Sequence, residues 1–73
     1  IAGLNSGYTD VVERILGDRL SYWYYKDHKL IAVDAINDPV SYMVGKRLIE
    51  KNQTPNQKDL AEESFNLKSL LKG

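Results

Sequence analysis

The stretch from Leu20 to Pro39, LSYWYYKDHKLIAVDAINDP, constrains the fold more than any other part of the chain. Two segments rich in aromatic and β-branched residues flank a polar turn at Asp27-His28, and the second runs directly into Asn37-Asp38-Pro39. The first pattern is that of a hairpin. The second is a helix start, because Asp38 can cap free backbone N–H groups and Pro39 gives up a donor that the first helical turn leaves unpaired anyway. A hairpin feeding a helix is therefore expected. With a two-residue loop, Lys26 pairs with Lys29, Tyr24 with Ile31, Tyr22 with Val33 and Leu20 with Ala35, which places these residues on one apolar face. The opposite face holds Tyr25 beside Leu30, Trp23 beside Ala32, and Ser21 beside Asp34, with Ile36 beyond them.

Upstream, Asp10 to Leu16 reads as a first strand and Gly17-Asp18 as the turn into a second, Arg19 to Lys26. Residues 1–9 carry Gly3, Asn5, Ser6 and Gly7 and read as an entry loop. Downstream, the helix is expected to run from Pro39 to about Lys51, with Val40, Met43, Val44 and Leu48 as its apolar stripe, widened by Tyr42 and Ile49. Lys46, Arg47, Glu50 and Lys51 fall on its wet side. Gly45 costs a helix about 1 kcal/mol against Ala and marks a close backbone approach to the sheet. Thr54-Pro55-Asn56-Gln57 has capping-box order and opens a short helix through about Glu63, while Asn66 caps a last turn, Leu67 to Leu71. The fold class expected is α+β, a three-stranded antiparallel sheet followed by one main helix and one or two short helical segments. One helix covers one sheet face only. The face of Leu20, Tyr22, Tyr24, Ile31, Val33 and Ala35 is the longer unbroken one and is assigned to the helix. Trp23 and Tyr25 are then expected to lie bare as an interface, for self-association or for another part of a larger protein.

A chain of 73 residues makes one domain, residues 1–73. A domain this small buries only about 60% of its unfolded surface, so stability is marginal. The chain has no cysteine, which excludes disulfides and thiolate metal sites and is compatible with a reducing cytoplasm, the expected location. Its ten basic and ten acidic residues cancel, which removes any whole-domain electrostatic case for nucleic acid or an anionic membrane. Tyr22, Trp23, Tyr24 and Tyr25 suggest a base-stacking platform, but successive strand residues point to opposite faces and no Lys or Arg is interleaved. No apolar run approaches the roughly 18 residues of a membrane span. Ile1-Ala2-Gly3-Leu4, without an initiator Met, reads as the interior of a longer polypeptide.

Residues able to do chemistry are scattered. His28 sits alone in a turn with no second ligand at metal spacing. Asp34, an acid among apolar neighbours, is expected to accept hydrogen bonds from Ser21 across the strand or from a backbone N–H. No serine has a His or Lys partner in a nucleophile motif, and the glycines show neither P-loop nor dinucleotide spacing. No catalytic, metal or cofactor-binding residue is expected. Lys46 and Arg47, with Lys51, Lys68 and Lys72 farther along, are the available basic patch.

Taken together, IAGLNSGY, YYKDHKLIAVDAINDP and the closing NLKSLL resemble the C-terminal domain of FAD-dependent NAD(P)H ferredoxin reductases of the putidaredoxin reductase and rubredoxin reductase type. Apoptosis-inducing factor is a more distant likeness. The resemblance covers essentially the whole chain. It implies a parent enzyme in which FAD and NAD(P)H domains precede this segment, hydride from the nicotinamide reduces the flavin, and electrons leave singly to a small iron–sulfur protein, a ferredoxin or rubredoxin. It also implies a fragment that binds no cofactor and is inactive alone, and a partner-facing surface with Lys46 and Lys68 in the places of docking cations. Trp23 stands where Phe is common, and Asp38 where Arg is common. Two alternatives are an apoptosis-inducing-factor-like oxidoreductase whose acceptor is not a ferredoxin, and a free-standing protein-interaction module.

Overall fold

A computed structural model describes residues 1–71, in an envelope of 29 × 26 × 20 Å. The elements run β1 (Ala2–Gly3), β2 (Asp10–Leu16), β3 (Arg19–Lys26), β4 (Lys29–Ile36), α1 (Pro39–Glu50), α2 (Gln57–Ala61) and a C-terminal 3-10 helix (Leu67–Leu71). The sheet is antiparallel in the order β1-β4-β3-β2. It has four strands where three were expected, because the entry segment contributes β1, pairing Ala2 with Val33 and Gly3 with Ala32. Two residues, one of them Gly, carry no alternation from which a strand could be read.

The β3–β4 turn is the two-residue one expected, with Asp27 and His28 both at positive φ (49° and 69°), the conformation of a type I′ turn. Lys26 pairs with Lys29 and Tyr25 with Leu30, but the register shifts at the next step: Tyr24 pairs with Ala32, Trp23 with Val33, Tyr22 with Asp34, Ser21 with Ala35 and Leu20 with Ile36. Ile31 is the extra residue of a β-bulge. Beyond it every β4 side chain is displaced by one position from the uninterrupted register. Val33 therefore joins Trp23 and Tyr25, and the face expected under the helix loses its continuity because Asp34 falls beside Tyr22.

The helix covers the other face. Trp23, Tyr25, Leu30 and Val33 pack with Val44, Leu48, Leu60 and Leu67 in one core, and Trp23 is 0% exposed within its own domain. The expectation that Trp23 and Tyr25 form a bare interface is thus overturned: both are core residues. Their polar atoms are satisfied inside, Trp23 Nε1 donating to Ser21 Oγ at 3.0 Å and the Tyr25 hydroxyl to the Pro55 carbonyl at 2.7 Å. Ser21 thus serves Trp23, and it is the Tyr24 hydroxyl that donates to Asp34, at 3.3 Å.

Helix α1 begins as its sequence dictates, Asp38 Oδ1 accepting from Ser41 N at 3.1 Å and Oδ2 from Ser41 Oγ at 2.6 Å. Its sheet-facing stripe is Ser41, Val44, Gly45 and Leu48, so Tyr42 and Met43 lie outside the core. A Cβ on Gly45 would stand 2.5 Å from Val33 Cγ2, the close approach that the mid-helix glycine predicts. The next helix is capped by Asn56, whose Oδ1 accepts from Lys58 N at 2.8 Å. Thr54 instead reaches back to the sheet, its Oγ1 accepting from Leu30 N at 3.2 Å. Asn66 caps the C-terminal turn as expected.

Candidate docking site

Two kinds of surface remain after the core is formed: one uncovered sheet face and two clefts beside α1 lined by cations. Alternation along β2, β3 and β4 puts Val11, Ile15, Tyr22, Tyr24 and Ala32 on the uncovered side, with Leu20 paired to Ile36 at its end. Val11, Ile15 and Ile36 are 45–54% exposed. Tyr8 from the entry loop folds over one end, its ring 5.1 Å from that of Tyr24 in an edge-on contact. The phenols are already partnered: Tyr22 bonds to Glu13, which with the carboxylate's charge holds its pKa above the ordinary phenol value. Burial lifts that of Tyr24 also, with Asp34 adding to the rise and a bond to Asn5 opposing it. This face is largely apolar, and its Tyr22 and Tyr24 hydroxyls are paired with the Glu13 and Asp34 carboxylates that share it.

The first cleft lies along the outer side of α1. Tyr42, Met43, Lys46, Arg47 and Glu50 line it, and Lys46 with Tyr42 also faces β1 across a neighbouring depression. Tyr42 and Met43 are 40% and 44% exposed. An exposed Tyr–Met pair between two cations is a surface that can exclude water at its centre and attract an acidic protein at its rim.

The second cleft, of about 360 Å³, lies where the β2–β3 turn, the start of α1 and the C-terminal segment meet. Arg14, Leu16, Arg19, Asp38, Phe65 and Lys68 are among the residues that line it. Lys46 and Lys68 therefore sit in different clefts, each with its own companions. Asp38, which stands where Arg is common in the family the sequence resembles, is only 9% exposed and its oxygens accept from Ser41. Lys72 lies outside the described residues.

Arg14 had no sequence signal, since an Arg in strand alternation reads as solvent-facing. It is 5% exposed, and its guanidinium donates to the carbonyls of Leu60, Glu62 (2.9 Å) and Phe65 (3.3 Å), tying the end of α2 and the segment after it to β2. Burial lowers its pKa, opposed by the charges of Asp38 and Glu63, and its Nε–H has no acceptor. Among the described residues no three His, Asp or Glu side chains gather as a metal site, and no helix is long and apolar enough to cross a membrane. His28 borders a shallow hollow with Tyr25 and Pro55 and has no catalytic companion there.

The sequence model of one family, described as Reductase C-terminal, matches residues 1–71. Among solved structures, the ferredoxin reductase for the CYP199A2 system from Rhodopseudomonas palustris is similar, with 28% identity and a TM-score of 0.84 over 92% of this chain. The putidaredoxin reductase in a covalent complex with putidaredoxin is similar too, with 28% identity and a TM-score of 0.85 over 94% of this chain. In both cases the chain spans 17% of the length of the protein it matches.

Proposed function

The chain belongs to the reductase C-terminal family, and we propose that it is the scaffold and docking domain of an FAD-dependent NAD(P)H:ferredoxin or rubredoxin reductase. The observation that carries this reading is the division of its surface. Among the described residues the titratable groups form no catalytic constellation, whereas the outer features are a largely apolar sheet face and clefts rich in cations, the equipment of a domain that binds other protein surfaces. The sheet face of Val11, Ile15, Tyr22 and Tyr24 is the seat for the flavin-bearing body of the same polypeptide, since the reductases it resembles are more than five times as long. Lys46 and Lys68 steer an acidic iron–sulfur protein to the outer side. That one similar reductase is held in a complex with putidaredoxin supports a partner of this kind. FAD and NAD(P)H bind to the rest of the parent enzyme, which works in the cytoplasm, and this domain alone is inactive.

Turnover tests the reading. The intact reductase, given NAD(P)H, is expected to reduce an acidic iron–sulfur protein as well as a small artificial acceptor. Turnover of the small acceptor without reduction of any ferredoxin or rubredoxin would favour the rival, a flavin oxidoreductase of the apoptosis-inducing-factor kind.

A further inference from the structure

The sheet edge at β4 is only partly paired. β4 runs from Lys29 to Ile36, yet on its outer side β1 covers Ala32 and Val33 alone. Among the described residues no strand lies beside Asp34, Ala35 and Ile36 there, although β3 pairs with all three on the other side. An edge left this way presents backbone N–H and C=O groups that a further strand can take up. It is flanked by apolar surface on both faces of the sheet. Ile36 is 54% exposed on the open face, and Tyr42 of α1 is 40% exposed on the other, where a depression of about 250 Å³ separates it from Ile1, Ala2 and Gly3. No Pro, Lys or Arg guards these three edge positions, and their one charge, Asp34, accepts from the Tyr24 hydroxyl. β1 can lengthen in one direction only. Past Gly3 the bulge at Ile31 interrupts β4 and the chain leaves the sheet, with Leu4 exposed.

We propose that the segment of the parent polypeptide immediately before Ile1 continues β1 antiparallel along Asp34, Ala35 and Ile36, so that a shared strand, and not a loose tether, joins the domain to the flavin-bearing body. The inference rests on the reading above that such a body precedes the domain, this chain spanning 17% of the similar reductases. Continuing the register that pairs Ala2 with Val33 sets Ile1 opposite Asp34, the residue before it opposite Ala35, and the one before that opposite Ile36. Side chains then alternate between the faces. The residue opposite Ile36 covers it on the open side, and the residue opposite Ala35 falls on the α1 side near Tyr42. Being covalently joined, this segment has an effective concentration that a second copy or a free peptide does not match. A strand of about five residues in place of two fixes the direction in which the domain leaves the body, and with it the orientation of the cation-lined clefts relative to the flavin.

The test is hydrogen exchange of the intact reductase, read by mass spectrometry with fragmentation to single amides. The outward-facing amides among Asp34, Ala35 and Ile36, those not bonded to β3, are expected to exchange about a hundredfold slower than unpaired amides, independently of protein concentration. Inserting one Ala directly before Ile1 is expected to speed their exchange about tenfold, because a one-residue slip sends every upstream strand side chain to the wrong face. A loop would absorb the same insertion at little cost. Melting temperature and retained flavin absorbance report whether the insertion variant is folded, and the measurement on the parent enzyme stands without it. Outward amides that exchange at the unpaired rate in the parent, or protection that the insertion leaves unchanged in a folded variant, would overturn the shared strand and leave the docking role intact. Protection lost on dilution would assign the edge to a second copy and overturn it likewise. A native polypeptide with the mass of this domain alone would remove the parent enzyme, and the shared strand with it.

Discussion

Single residues decide how closely the layers of this domain approach. Gly45 lets α1 settle onto Val33, where a methyl group would meet Val33 Cγ2 at 2.5 Å and Cβ at 2.8 Å. Gly3, at φ 78°, passes the bulge so tightly that any side chain would run into the Ile31 carbonyl, so the shortest strand and the irregularity of β4 are fitted to one another. For Gly45→Ala two effects compete. Helix propensity favours Ala by about 1 kcal/mol, and overpacking against a branched side chain typically costs about 1–3 kcal/mol. Because the clash is with the Val33 branch point as well as with a methyl, the second should win. A net loss of about 1–2 kcal/mol is expected in urea unfolding, and a variant as stable as the parent would show that α1 rides higher on the sheet than described. The role of Gly45 was legible in the sequence because a mid-helix glycine has few other uses. Arg14 was not, since its carbonyl partners Leu60, Glu62 and Phe65 lie 46 to 51 residues away with no local pattern to announce them.

At the scale of elements, β2 and β3 and the capped start of α1 follow from turn chemistry and capping rules that act over a few residues. What did not follow was which sheet face meets the helix. Both faces of the hairpin are apolar in sequence, and the choice depended on counting two by two through Leu30-Ile31-Ala32-Val33, where one extra residue reverses the answer. A bulge leaves no compositional mark in such a run. Its outcome is visible in burial: Trp23 and Tyr25 go inside, while Tyr22 and Tyr24 stay half-exposed beside carboxylates that accept from them. The apolar surface available for association is therefore the one carrying Val11 and Ile15. Ile15→Lys, at a position 51% exposed, should lower the tendency of the isolated domain to self-associate with little change in stability. Sedimentation over a range of concentrations checks this. Association that persists undiminished would mean that another surface mediates it.

For the whole molecule, the neutral net charge conceals a local separation. Two cations to one acid line the cleft along the outer side of α1 (Lys46 and Arg47 with Glu50) and three to one the cleft at its start (Arg14, Arg19 and Lys68 with Asp38), whereas Glu13 and Asp34 belong to the uncovered sheet face. A composition count averages these away. Lys46 and Lys68 were legible in the sequence as members of a basic patch, their proposed docking role came only from the family resemblance, and their division between two clefts required the fold. The proposed function separates docking, assigned to this domain, from electron transfer through the flavin, assigned to the rest of the parent enzyme. Reversing charge at Lys46 in the intact reductase tests that separation most directly, with reduction of an acidic iron–sulfur protein and of a small artificial acceptor measured side by side. The expected result is slower association with the protein acceptor, by about tenfold at low ionic strength and converging with the parent as salt rises, and turnover of the small acceptor at the parent rate. An equal loss with both acceptors, or no loss with either, would contradict it.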